Sequence, residues 1–330
     1  MASVLRATPN RVRWLTDPRE AGPGKPPVSD GDGRLLMLSS VLEGRSRPES
    51  PIVRPFFLAS LMLGACGSSP PDPGPAPVVC YAPRDGGVFL TGLVAPVQGC
   101  SAPLLDAGVY DLGDLGWSRQ GGVLVVPASP PGQAVPVVFG FAGAGTPGAT
   151  FRSELALEDS VDAGAIFLYP TAVQGTWDIG PSSLDASRVD TLLRFLAGSL
   201  CIDPDRIYIA GFSAGAVFTL YLGCNVPGTF RGMAVIAGTE SRFDRRCCTE
   251  PIPALFIHGT HDEAIPLTEG LSARREVLDR DGCTTGSAPD PLGCIDFACP
   301  VSSPVTSCEW DGDHAIPTFA AAEISDFFSL

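Results

Sequence analysis

The sequence predicts an α/β fold, a mostly parallel sheet with helices on both faces, on three observations. Strand-length apolar runs, Val123 to Pro127, Pro136 to Phe141, Ala165 to Tyr169, Ile207 to Ala210, Gly232 to Ile236 and Ala254 to His258, alternate with helical stretches such as Ser187 to Leu200 and Leu271 to Leu278. That alternation is expected of parallel strands joined by crossover helices. The chain has 330 residues, 45% of them hydrophobic, which is ample for one sizeable core. A Gly-x-Ser-x-Gly turn stands between a strand-like run and a helical one. No internal repeat is visible, and the net charge of −14 argues against nucleic acid, which needs a basic face.

Reading from the N-terminus, residues 1–52 are rich in Arg and Pro and lack periodicity, so they are expected to be a non-native or disordered extension. Residues 53–66 run from Arg54 through a short apolar core to Leu63-Gly64-Ala65-Cys66, which resembles a bacterial lipoprotein signal ending in a lipidated cysteine. The apolar core is too short to span a bilayer as a mature helix. A signal begins near its basic residue, so the true start is expected near Met37 or Val53. Residues 67–79 are a Pro-rich spacer, expected to be extended and unpacked, and residues 80–330 form the catalytic domain. Lipidation at Cys66 would be the membrane attachment.

The run from Pro136 enters Gly140-Phe141-Ala142-Gly143-Ala144-Gly145, a Gly-rich loop after a buried strand. It lacks the Lys-Ser/Thr ending of a phosphate loop and the spacing of a dinucleotide site. Further on, Ile207 to Ala210 enters Gly211-Phe212-Ser213-Ala214-Gly215, and the helical stretch Ala216 to Leu222 leaves it. A serine raised on a tight strand-to-helix turn needs small neighbours, because the backbone is strained and side chains would block its Oγ. Ser213 is therefore the candidate nucleophile. An oxyanion needs two amides, one from the residue after the nucleophile and one from the loop after an earlier central strand. Ala214 and Ala144 fill those positions.

A serine hydroxyl needs a base, and the base needs an orienting acid. Only His258, His261 and His314 are available. His314 lies in a turn-rich loop after the strand-like run Pro304 to Trp310, where a base presented at the sheet end would stand. Asp262 emerges where the strand Ala254 to His258 ends in a polar loop. The order Ser213, Asp262, His314 is that of the α/β-hydrolases.

At these residues the chain resembles a family. Cys201-Ile202-Asp203-Pro204-Asp205-Arg206-Ile207-Tyr208 through Gly215, His258-Gly259-Thr260 with Asp262, and Cys308-Glu309-Trp310-Asp311-Gly312-Asp313-His314 with Pro317 are similar to the secreted polyhydroxybutyrate depolymerase and feruloyl esterase group. The likeness spans about Gly121 to Leu330. It implies an α/β-hydrolase fold and a serine esterase without metal or organic cofactor, with Ser213 as nucleophile, Asp262 as acid and His314 as base. The family usually has His-Gly where this chain has Ala142-Gly143, and often Trp where it has Ile316. Related esterases tend to carry an aromatic near Trp177, which makes Trp177 the candidate substrate-binding residue.

Ten cysteines remain once Cys66 is set aside, an even number after an export signal, which reads as a disulfide framework. No compact pair of cysteines stands beside a second such pair or a histidine pair, so a zinc site is not expected. Adjacent Cys247 and Cys248 should pair with different partners, since a ring between neighbours is strained. The resemblance implies Cys224 as partner of one of them.

The function expected is an exported serine esterase acting on carboxylic esters, either feruloyl or acetyl esters of polysaccharide or a polyhydroxyalkanoate-type polyester. Its one other reading is a non-catalytic, surface-anchored binding protein on a decayed hydrolase scaffold, motivated by Ala142.

Overall fold

The strand-like runs read from the sequence all become strands of one sheet in the computed structural model. It describes residues 80–81, 100, 103–117, 121–129, 132–161, 164–300 and 302–330. All belong to the unit Pro71–Leu330. Residues 1–66, with the expected signal and Cys66, and the spacer 67–79 lie outside the described residues. Among those described, no helix is long and apolar enough to cross a membrane.

In chain order the elements are β1 (Gly108–Asp111), β2 (Gly122–Val126), β3 (Val135–Phe141), α1 (Gly148–Leu155), β4 (Ile166–Pro170), α2 (Leu184–Ser199), β5 (Ile202–Phe212) and α3 (Ala214–Asn225). There follow β6 (Gly232–Ile236), β7 (Ala254–Gly259), α4 (Leu267–Asp281), β8 (Cys294–Phe297), β9 (Val305–Trp310) and α5 (Ala320–Phe328). The sheet order is β1-β2-β4-β3-β5-β6-β7-β9-β8. The six strands from β4 to β9 in that order run parallel. Antiparallel pairs flank them, at β1, β2 and β4 on one side and β8 with β9 on the other.

Side chains of the central strands divide by parity, as the two-residue period of a strand requires. Val137, Phe139 and Phe141 of β3 join Ile207 and Ile209 of β5 and Met233 and Val235 of β6 on one face, under α2, α3 and α4. Val138, Tyr208, Ala210, Ala234 and Ile236 point the other way, toward Phe151 and Leu155 of α1 and Ile324 and Phe328 of α5. Strands buried on both faces read as continuous apolar runs, which is why these were legible.

The differences from expectation have local causes. β5 begins at Ile202, five residues before the apolar run, because its first half holds Asp203, Pro204 and Asp205. The β3/β5 register shifts across that segment, from Val135 opposite Ile202 to Val137 opposite Ile207, where proline has no N–H for a regular ladder. β1 and β8 have four residues each, with alternating exposure at the sheet margins, too short for a sequence signal. α1 has only eight residues and follows Pro147.

The ten cysteines other than Cys66 pair as Cys80–Cys247, Cys100–Cys201, Cys224–Cys248, Cys283–Cys299 and Cys294–Cys308. Cys247 and Cys248 take different partners, and Cys224 takes Cys248. Five disulfides suit a chain that folds in an oxidising compartment. Cys100 and Cys201 are 101 residues apart, so their bridge closes a long loop of the unfolded chain. The double variant Cys100→Ser/Cys201→Ser should lose about 2–5 kcal/mol of stability. Denaturant unfolding, with the midpoint compared to the parent, measures the loss.

Candidate active site

The site assembles where parallel strands end, the position at which ligands meet open α/β sheets. Ser213 sits between β5 and α3 with φ 54° and ψ −119°, a conformation that an L-residue holds only when its surroundings force it. Its N–H donates to the Ile236 carbonyl at 2.9 Å, and its carbonyl accepts from Val217 N at 3.0 Å. The flanking glycines have a steric cause. A Cβ on Gly215 would lie 2.0 Å from the Phe141 carbonyl oxygen, and one on Gly211 would lie 2.3 Å from that of Gly215.

Asp262 follows β7, and its side chain is fully buried. Oδ1 accepts from Ala264 N at 2.9 Å and Ile265 N at 2.8 Å, so the carboxylate closes its own turn. Oδ2 faces His314 Nδ1 at 2.7 Å, and His314 Nε2 lies 2.8 Å from Ser213 Oγ. With Asp262 as acceptor, Nδ1 carries the ring proton and Nε2 accepts from the hydroxyl. The phenyl ring of Phe212 lies against the imidazole, 4.9 Å between centroids.

His314 reaches Asp262 because two loops zip together. Thr260 N donates to Trp310 O at 2.8 Å and His261 N to Gly312 O at 2.9 Å. A Cβ on Gly259 would meet the Gly312 carbonyl oxygen at 2.3 Å, so only glycine permits the approach. His258 plays a part that the sequence did not suggest. Buried at the end of β7, it makes a 2.8 Å hydrogen bond from Nε2 to the Ile265 carbonyl and stands 3.4 Å from Asp262 Oδ2. It thereby braces the turn that holds the acid. His261 is exposed and lies 3.1 Å from the exposed Asp311, away from the Ser213–His314–Asp262 chain.

Ala214 starts α3, where first-turn amides have no intrahelical acceptor. Ala144 lies in the loop after β3, and both line one cavity with Ser213. The adjoining Gly143 brings its backbone to Ser213, with a Cβ there at 3.6 Å from the serine Cβ. Ala142, which stands where the resembled group has His, is wholly buried, and its carbonyl accepts from Trp177 Nε1 at 2.7 Å.

Trp177 lines the same cavity, yet it is 6% exposed and stacks on Phe218 at 4.8 Å, with Phe141 edge-on at 5.1 Å. It is thus both wall and core. Its loop is anchored by buried Asp185 of α2, which accepts from Val173 N at 3.0 Å and Asp178 N at 2.9 Å. Burial pushes the Asp185 carboxyl up, while those amides and Arg188 pull it back. Arg188 in turn donates to the Thr171 carbonyl at 2.7 Å. Neither α2 residue carried a sequence signal: Arg188 sits inside the helical stretch Ser187 to Leu200 and Asp185 just before it.

The arrangement can move a proton from Ser213 Oγ to His314 Nε2 while Asp262 stabilises the resulting cation. Similarity to known proteins agrees with an ester-cleaving site. Residues 186–280 match the family described as Phospholipase/Carboxylesterase. The chain is 26% identical over 244 residues to the protein named "Probable feruloyl esterase C" of Aspergillus terreus, covering 69% of this chain and 87% of that one. It is 28% identical over 165 residues to feruloyl esterase C of Emericella nidulans, covering 48% and 60%. Among solved structures, the acetyl xylan esterase from Aspergillus awamori superposes with a TM-score of 0.54 at 14% identity over 68% of this chain and 99% of that one, a likeness of fold. The protein has the α/β-hydrolase fold, and its relatives are named as esterases. Within that fold the proteins it resembles in sequence are named feruloyl esterases.

The indole hydrogen bond to Ala142 fixes the loop that carries the Ala144 amide. Trp177→Phe keeps the stacking on Phe218 but removes the donor, so steady-state kinetics on a p-nitrophenyl ester should show a kcat lowered about tenfold with KM within about twofold. A change confined to KM would assign Trp177 to ground-state substrate contact instead.

Proposed function

We propose that the protein is an exported serine esterase that cleaves carboxylic esters through an acyl-enzyme on Ser213. The observation that carries this reading is the continuous hydrogen-bonded chain from Ser213 Oγ through His314 to Asp262 Oδ2, at 2.8 and 2.7 Å. Ser213 Oγ attacks the ester carbonyl carbon as its proton passes to His314 Nε2, and the carbonyl oxygen becomes an oxyanion facing the amides of Ala144 and Ala214. The tetrahedral species collapses, the bond to the alcohol oxygen breaks, and His314 returns the proton to that oxygen. The alcohol departs and leaves the acyl group on Ser213. Water then attacks the acyl carbon, giving its proton to His314. The second tetrahedral species expels Ser213 Oγ, which takes the proton back, and the free acid leaves. Asp262 stays ionised throughout, holding Nδ1–H and stabilising the imidazolium.

The substrate classes in keeping with the relatives' names and the resemblance are feruloyl or acetyl esters of polysaccharide and polyhydroxyalkanoate-type polyester. Export rests on the signal-like segment 53–66 and the five disulfides, with Cys66 as the lipid-bearing residue and 67–79 as the tether. The unbroken chain from Ser213 through His314 to Asp262 favours an enzyme over a decayed scaffold, although Ala142 replaces the usual histidine.

Ser213→Ala should cut kcat/KM on a short p-nitrophenyl ester by at least about a thousandfold with an unchanged thermal midpoint. Activity within about tenfold of the parent would refute the assignment.

A further inference from the structure

The cavity beside Ser213 measures about 330 Å³, at the small end of ligand pockets, so it holds one acyl group rather than a length of polymer. In the mechanism above the alcohol oxygen must face His314 Nε2 to recover its proton. The cavity wall carries Ser213 and the two alanines of the oxyanion site but not His314, which makes it the acyl side. Trp177, Ile179, Val217 and Ile265 give it apolar walls. Arg242 is the one ionisable side chain among the described residues lining it.

Arg242 belongs to the loop after β6, which holds two more arginines, and both of those are matched to carboxylates. Arg245 bonds Glu240 at 3.2 Å and also contacts Glu276, while Arg246 pairs with Asp244 at 2.6 Å. Glu269 of α4 accepts from Ser241 Oγ at 3.1 Å. Arg242 is exposed and has no ion pair among the described residues, in a chain whose net charge is −14. An unmatched guanidinium at an otherwise apolar acyl cavity offers a planar fork of donors to a carboxylate.

We infer that Arg242 favours esters whose acyl group has an apolar body and an anionic far end, such as half-esters of dicarboxylic acids, over neutral acyl groups of the same length. The inference rests on the esterase reading and on the assignment of this cavity to the acyl group. Two esters with the same leaving group separate the questions: p-nitrophenyl hexanoate, and the p-nitrophenyl half-ester of adipic acid, in which a carboxylate replaces the terminal methyl. Arg242→Gln should lower the adipate-to-hexanoate ratio of kcat/KM about tenfold, mainly through KM for the adipate half-ester. Arg242→Glu should lower the adipate-to-hexanoate ratio further, and added salt should compress the ratio in the parent alone. Because Arg242 is exposed, both variants should keep the parent's thermal midpoint, which is measured alongside. A ratio that is the same in parent, Arg242→Gln and Arg242→Glu, with hexanoate still turned over, overturns the role of Arg242 and spares the esterase. Failure of the parent to turn over either ester overturns both.

Discussion

The close seating of the first turn of α3 on the ends of β3 and β5 is the constraint on which the rest of the site depends. The Phe141 carbonyl oxygen occupies the space that a side chain on Gly215 would need. That contact forces the chain to turn from strand to helix within one residue, and Ser213 takes up the strain at φ 54°, worth about 1–3 kcal/mol. The strain persists because the neighbourhood fixes both sides of the peptide. Ser213 N is tied to Ile236 of β6, and Ser213 O to the next turn of α3. The result is an Oγ raised above the sheet with the Ala214 amide beside it, free at a helix N-terminus.

Around that fixed point the other loops are positioned by hydrogen bonds to backbone amides and carbonyls, from the backbone and from a few buried side chains. The loop after β7 and the loop after β9 share two backbone bonds, and Gly259 lets them touch, so His314 and Asp262 stand on joined loops. The loop after β3 is tied to the loop after β4 by Gly145 N to Gly175 O at 2.6 Å and by the Trp177 indole. Asp185 and Arg188 fasten the second of these to α2. Support of this kind suits the proposed role of these amides, which is to meet a transient oxyanion without reorganising.

How much of this could be read from the sequence follows from how each feature is encoded. Ser213 was legible because its strain demands small residues at fixed offsets, and those glycines stand next to it in the chain. Asp262 and His314 were legible as candidates because each follows a strand that is a continuous apolar run, so the loop after it must lie at the sheet's end. The contributions of His258, Asp185 and Arg188 were not legible. Each acts through a backbone carbonyl or amide whose place is set by tertiary packing, and a helix or strand pattern contains no mark of it. Trp177 was singled out as a candidate for substrate contact and lines the cavity beside Ser213, but its hydrogen bond to Ala142, 35 residues away, is encoded by no local pattern. The margin strands β1 and β8 escaped for the opposite reason, being short, half exposed and held by neighbours rather than by their own apolar content.

The central claim is that Ser213 is made nucleophilic by His314, and a covalent trap tests it most directly. An alkyl fluorophosphonate should phosphonylate one residue per chain, with fluoride leaving as the Ser213 Oγ–P bond forms, and peptide mass mapping should find the label on Ser213 in step with loss of ester turnover. The His314→Ala variant should react far more slowly. Labelling of any other serine in step with inactivation, or a parent that remains unlabelled while it turns over ester, would contradict the account.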